Sequence, residues 1–98
     1  MHTARNFVLA AAFTCLASTA GAQDMNRTID QYKCRDVMRE AGANRDIAIA
    51  FLHGFLLGKS GTQRFNLDAL HKQTENFIEH CLSNPDCKAI DSMTVVKK

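Results

Sequence analysis

Three of the four cysteines have the clearest chemistry in this chain, because a pair of them can form a covalent cross-link. The fourth, Cys15, lies in an N-terminal apolar run and is expected to be removed with it. Cys34 lies in the first helical pattern, Cys81 ends the third, and Cys87 follows six residues later. A Cys34–Cys81 bond would span 47 positions, and the chain-entropy model gives such a loop about 4 kcal/mol of stabilisation. A Cys81–Cys87 bond would close only one turn. The spacing favours Cys34–Cys81 and keeps Cys81–Cys87 as the alternative.

Either pairing leaves one of these three cysteines without a disulfide partner. If Cys34 and Cys81 are bonded, Cys87 is a buried small apolar residue, a free thiol or an intermolecular link. The sequence leaves these three roles open.

Histidines raise the question of a metal site. His53, His71 and His80 do not form the short Cys-x₂-Cys or His-x₃₋₅-His spacings of structural zinc sites, with one another or with the cysteines. We therefore expect no metal and no other cofactor. His71 and His80 are interpreted as surface residues that gain charge below pH ~6.5. His53 interrupts an apolar helix, so we expect it to make a local hydrogen bond or to border an interface.

Motifs for catalysis are equally weak. Gly58-Lys59-Ser60 resembles the end of a phosphate-binding loop, but that motif needs a glycine where this chain has His53, and a strand before it. Serine, histidine and aspartate occur without a nucleophile elbow. A helical domain of this size also has little room for a walled cleft. We expect a protein that is not an enzyme.

The first 22 residues have the pattern of a secretory signal peptide. Met1–Asn6 contains Arg5 and no acid, Phe7–Leu16 is mostly apolar, and Ala20-Gly21-Ala22 precedes Gln23. The apolar run is too short to span a bilayer. We predict a signal peptide over 1–22 and an exported domain over 23–98, in an oxidising compartment that permits disulfides.

Charge excludes one class of partner and suggests a response to acid. The predicted exported part has 76 residues, 11 Lys or Arg and 10 Asp or Glu, so its formal charge is +1. This balance does not fit a charge-driven nucleic-acid binder. Below pH ~4 the ten carboxylates protonate, and with three charged histidines the formal charge rises to about +14. The resulting repulsion would loosen a small fold.

Four helices must position these residues. The first is predicted over Ile29–Glu40 with a stop at Gly42, and the second over the apolar run Ile47–Leu57, with Asn44 as N-cap and Gly58 as left-handed C-cap. A run of eleven residues, nearly all apolar, is too short for a membrane span, so the second helix is expected to be buried on several sides.

Clear capping signals also mark the other two helices. Asn66 is the predicted N-cap of the third, whose apolar stripe ends at Cys81. The fourth is predicted to begin at Asn84-Pro85, a cap followed by a proline. We predict an all-α, single-domain bundle of about four helices held by one disulfide. Gly54 in the second helix suggests close approach of another backbone, from within the chain rather than from a second subunit.

Three blocks of sequence resemble the HdeA/HdeB family of small periplasmic acid-stress chaperones. They are Cys34-Arg35-Asp36-Val37-Met38, the central Ala50–Lys59, and Phe77-Ile78-Glu79-His80-Cys81 followed by Asn84-Pro85. The resemblance covers about Cys34–Met93. Two features depart from the family pattern: Lys33 replaces the usual Thr or Ser cap, and Cys87 is an extra thiol.

The resemblance implies a single helical domain, the Cys34–Cys81 bridge, and often a homodimer at neutral pH. It also implies a periplasmic location without a membrane anchor after signal cleavage, and chaperone behaviour in acid. The partners would be unfolding periplasmic proteins, and the disulfide would limit how far the chain opens. The surface expected to meet clients or a second subunit is on the second helix: Phe51, Leu52, Phe55 and Leu56.

Two other interpretations stay open. The glycine-containing central helix and the proline before the last helix also resemble Rap/Tai-type periplasmic immunity proteins, which bind one toxic enzyme. The same scaffold would equally serve a structural or interaction domain without chaperone activity. An acid chaperone is distinguished by suppressing aggregation of unrelated proteins at low pH only.

Overall fold

The computed structural model describes residues 24–98, so the predicted signal peptide lies outside the described part of the chain. One 3₁₀ turn, Ile29–Gln31, precedes the α-helices. Lys33 and Lys88 form an isolated antiparallel bridge, and residues 24–98 contain no β-strand. The prediction of a small all-α bundle is confirmed. The described part of the chain has four α-helices: α1 (Cys34–Arg39), α2 (Gly42–Lys59), α3 (Leu67–Ser83) and α4 (Ala89–Val96).

The first helix is shorter than the predicted Ile29–Glu40. Lys33 has extended backbone angles, and α1 begins only at Cys34. The Cys34 N–H donates to the Cys87 carbonyl at 2.9 Å, and the Ala89 N–H donates to the Tyr32 carbonyl at 2.8 Å. These groups bond across to the α3–α4 connection, so they are not available to continue a helix backwards.

The predicted ends of the second helix were also wrong. Helix α2 begins at Gly42, which had been expected to stop the first helix, and Asn44 lies in its first turn. At the other end, the Ser60 N–H donates to the Leu56 carbonyl at 3.0 Å, so Gly58 remains helical. The left-handed residue is Gly61, at φ 77°. Glycine adopts this angle without the clash that a Cβ would make.

Helix α3 follows its prediction and α4 does not. The Asn66 side chain accepts from the Ala69 N–H at 2.9 Å, as expected of an N-cap. Asn84 instead begins a turn, in which its carbonyl accepts from the Cys87 N–H at 3.2 Å. Helix α4 therefore begins at Ala89, after the bridge that holds Lys88 against Lys33.

The core lies where α1, α3 and α4 meet one side of α2. Helix α2 buries only Ile49, Leu52 and His53, so the expectation that it is buried on several sides was wrong. None of the helices in residues 24–98 is long and apolar enough to cross a membrane. The buried apolar residues are Tyr32, Cys34, Val37, Ile49, Leu52, Phe77, Cys81, Ala89 and Met93.

Candidate interaction surface

A disulfide between Cys34 and Cys81 joins the start of α1 to α3. Their Cα atoms are 4.9 Å apart, within the usual range for disulfides. Both residues are at most 1% exposed. Cys87 is a free, half-buried thiol that packs against the same core. Because the bonded residues flank all of α2 and most of α3, the cross-link encloses both long helices in one covalent loop.

A buried hydroxyl connects the disulfide to a histidine that the sequence had placed on the surface. Ser92 of α4 is 1% exposed, and its Oγ lies 3.2 Å from the Cys34 Sγ and 2.9 Å from the His80 Nδ1. His80 is half-buried and bridges α3 to α4 through this contact. Sequence reasoning missed this role, because nothing in the spacing of His80 and Ser92 indicates that the two helices meet there.

The four residues predicted as the client surface do not share one face of α2. Phe51 is 57% exposed, Leu52 is fully buried, and Phe55 and Leu56 are half-buried. Leu56 packs against the core. Phe51 and Phe55 lie one turn apart with ring centroids 6.2 Å apart. In this folded state only Phe51 and Phe55 are directed away from the core, and Leu52 becomes accessible only if the fold opens.

An exposed apolar face of α2 extends beyond the predicted residues. Ile47 is 67% exposed and lies one helical turn before Phe51. The Lys59 Nζ lies 5.6 Å from the centroid of Phe55, at the other end of the face. We define the outer face of α2 as Ile47, Phe51 and Phe55. Large apolar side chains exposed in a row mark interaction sites more often than isolated ones do.

The space around Gly54 is open. No heavy atom from elsewhere in the described chain lies within 4 Å of the position that a Cβ would occupy there. The expected close approach of another backbone from within the chain was therefore wrong. Gly54 instead lines a groove of about 490 Å³ between α2 and α3, together with Ala50, Phe65 and Leu70.

A second groove, of about 360 Å³, lies on the other side of α2 and includes two residues of its outer face. Ile47 and Phe51 form one wall, and Met25, Ile29 and Tyr32 from the segment before α1 contribute the other. The exposed apolar surface is thus continuous from α2 to the N-terminal segment.

An ion-pair cluster closes one end of this second groove. Arg27 donates to both oxygens of Glu40, from Nε at 2.9 Å and from Nη2 at 3.1 Å, and the Tyr32 hydroxyl donates to Glu40 at 2.5 Å. These bonds favour the ionised carboxylate, so Arg27 first and Tyr32 second lower the pKa of Glu40. Burial, followed by Glu40, raises the pKa of Tyr32. We call Arg27, Tyr32 and Glu40 the Glu40 clasp.

The three histidines lie apart. His53 contacts Thr74, His80 contacts Ser92, and the His71 Nε2 lies 3.5 Å from the Glu75 carboxylate on the exposed side of α3. Within residues 24–98, no three side chains of the metal-binding types come together.

Comparison with protein-family models identifies the family of this chain. The model of the HdeA/HdeB family matches residues 6–91, which is most of the chain. The matched range contains both bonded cysteines, the whole of α2 and α3, and the turn at Asn84-Pro85. No curated protein and no solved structure matches the chain.

Proposed function

The chain belongs to the HdeA/HdeB family, and we propose that it acts as a periplasmic acid-stress chaperone, as its family does. It would be exported by the signal peptide predicted over residues 1–22. In acid its fold would loosen, and the apolar residues of α2 would bind periplasmic proteins that are unfolding. This binding would prevent the clients from aggregating while the pH stays low.

The observation that carries the proposal is the exposed apolar outer face of α2, a helix that buries only three of its 18 residues. Ile47 and Phe51 are more than half exposed even in the folded state. Leu52 and Leu56 lie behind them, so opening the core would roughly double the number of large apolar side chains that α2 presents. Burial of one such side chain against a client is worth about 1.5–3 kcal/mol.

Charge supplies the reason for opening in acid. The formal charge of the predicted exported part rises from +1 to about +14 when its ten carboxylates and three histidines are protonated. Self-repulsion on that scale destabilises a compact state. Residues 24–98 bury a core of only nine apolar residues, so the free energy opposing this repulsion is also small.

The disulfide supports a limited opening rather than complete unfolding. Residues 34–81 form a closed covalent loop, and the outer face of α2 lies entirely within it. When the packing of α2 is lost, its two flanking ends remain joined. The exposed residues therefore stay in one restricted region of the chain, which also lowers the entropy cost of refolding when the pH rises.

We also propose that a second copy of the chain covers the outer face of α2 at neutral pH. Dimers of this kind are implied by the family. The outer face has the exposed aromatic and aliphatic side chains that the centre of such an interface requires, and acid would drive two strongly cationic copies apart.

Light scattering of an unrelated client protein tests the chaperone proposal. The client is diluted from denaturant at pH 3 and at pH 7, with and without an excess of the purified protein. We expect strong suppression at pH 3 and little at pH 7. The double variant Ile47→Ser/Phe51→Ser should suppress several-fold less at pH 3, because it removes apolar area from α2.

A matched control distinguishes loss of apolar side chains on α2 from loss of exposed apolar side chains elsewhere on the protein. Leu82→Ser/Val95→Ser removes two side chains that are 68% and 53% exposed, against 67% and 57% for Ile47 and Phe51. This control should retain suppression. If neither pH gives suppression with several clients, the protein is not an acid chaperone, and a single tight partner, as an immunity protein has, becomes the better interpretation.

A further inference from the structure

One titratable side chain is buried at the contact between the two long helices. His53 of α2 is 5% exposed. Its Nε2 lies 2.8 Å from the Thr74 Oγ1 of α3, and its Nδ1 is buried without any hydrogen-bond partner. When the imidazole is neutral, Nδ1 is an uncharged nitrogen without a partner. When the ring is protonated, Nδ1 becomes an N–H donor without a partner, and it then carries part of the positive charge.

The groups around His53 offer no compensation for a charge. Asp46 of α2 and His71 of α3 line the same groove as His53. Lys97, after the end of α4, also faces His53 and repels its charged form, while its Nζ donates to the Gln73 side chain at 2.7 Å. Within residues 24–98, no carboxylate oxygen lies within 4 Å of a His53 nitrogen. Asp46 precedes His53 by two helical turns, about 10 Å along the axis.

We infer that His53 is a pH-sensitive switch, whose protonation in mild acid weakens the contact that joins α2 to α3 at Thr74 before most carboxylates are protonated. The protonated ring can relieve its unpaired N–H only by reaching water. It lies beside the open groove between α2 and α3, so a small separation of the helices would hydrate it. That separation would also begin to expose Leu52, its neighbour in sequence.

The expected titration agrees with this geometry. Burial first, and Lys97 second, lower the pKa of His53 from 6.5 to about 4. Since the folded-state pKa is below the unfolded value, the unfolded chain binds the proton more tightly. The stabilisation is complete above pH 6.5 and is lost progressively as the pH falls to 4. From pH 7 to pH 5 the equilibrium constant for unfolding should rise about twentyfold from His53 alone.

This inference deepens the proposed function and rests on it for the biological consequence. The carboxylates account for opening below pH ~4, whereas His53 would start the process in milder acid. The same helix carries the buried switch and the exposed outer face. The pH at which clients begin to bind would therefore depend on His53.

Two measurements without any client test the switch. Nuclear magnetic resonance of the imidazole C–H groups of the wild-type protein should show His53 titrating well below 6.5. Urea unfolding at pH 7 and pH 5 should show the wild-type equilibrium constant rising about twentyfold or more. His53→Gln, which retains an amide for Thr74 but accepts no proton, should lose most of that rise. His71→Gln should keep it, because the His71 side chain is 79% exposed.

An unshifted His53 titration near pH 6.5 would overturn the inference, and so would a His53→Gln variant with the full wild-type pH dependence. If His53→Gln does not fold, the wild-type titration alone decides. Light scattering of clients fails or succeeds independently of these results, so the switch and the chaperone proposal can be rejected separately.

Discussion

The strongest single prediction concerns the Cys34–Cys81 bond. Replacing both residues in Cys34→Ala/Cys81→Ala removes the cross-link without leaving a buried thiol or adding a buried hydroxyl. Single replacements would leave an unpaired cysteine beside Cys87 and allow exchange to a new pairing. The double variant therefore isolates the effect of the native bond.

The expected loss is a large part of the total stability. A loop with a sequence separation of 47 contributes about 4 kcal/mol in the chain-entropy model. Loss of two buried sulfur atoms adds on the order of 1 kcal/mol, because both sites are almost completely enclosed. Domains typically have about 0.05–0.15 kcal/mol of stability per residue, so the whole fold is worth roughly 4–11 kcal/mol. The variant should be marginally folded at best.

Urea unfolding followed by circular dichroism at pH 7 and 25 °C measures this loss. The wild type must first be shown to contain one free thiol in its predicted exported part, as expected for Cys87. Cys87→Ala is the control, since it removes a half-buried cysteine but leaves the cross-link. We expect the control to stay within about 1–2 kcal/mol of the wild type. A double variant that lost less than about 1 kcal/mol would refute the account of the disulfide.

Two further predictions concern the Glu40 clasp and the outer face of α2. Because Arg27 and Tyr32 lower the pKa of Glu40, its ionised form stabilises the fold above the ordinary carboxylate pKa, and this contribution is lost as the pH falls through the lower folded value. Glu40→Gln should therefore lower the free energy of unfolding by about 1 kcal/mol at pH 7. In urea unfolding, this difference from the wild type should become smaller towards pH 3. An equal loss at both pH values, or a loss as small as that of the exposed control Glu75→Gln, would contradict this. In sedimentation at pH 7, the wild type and Leu82→Ser/Val95→Ser should be dimers, and Ile47→Ser/Phe51→Ser should be a monomer. If each of the three proteins is a dimer, the subunit interface lies elsewhere.

Sequence reasoning predicted the parts of the fold that depend on local patterns. The apolar stripe of α3 and its Asn66 cap are both local signals, and both occur in the structure. Helices α1 and α4 began later than predicted because the Lys33–Lys88 bridge takes their neighbouring backbone groups. These residues are 55 positions apart, and no periodicity reports a pairing at that distance.

The candidate surface was predicted only in part, for a different reason. Ile47–Leu57 is apolar almost throughout, so its periodicity does not indicate which side faces the core. The adjacent residues Phe51 and Leu52 differ completely in exposure, although both were predicted to lie on the client surface. The Glu40 clasp was missed because Arg27 and Glu40 are 13 positions apart in different elements. Their pairing depends on how the N-terminal segment folds back over α1.

The central claim is that opening of the fold in acid creates the client-binding state. Tyr32 reports this opening, because it is the single tyrosine of a chain without tryptophan and is 6% exposed in the folded state. Its near-ultraviolet circular dichroism can be recorded for the protein alone as the pH is lowered from 7 to 3. Scattering of client proteins is then measured at each pH in parallel samples.

The most direct test is whether the two curves coincide. We predict that suppression of client aggregation begins in the pH interval where the Tyr32 signal is lost, and that both return when the pH is raised. Full suppression at pH 7 with the Tyr32 signal intact would contradict the account. An absence of suppression after that signal has disappeared would contradict it equally.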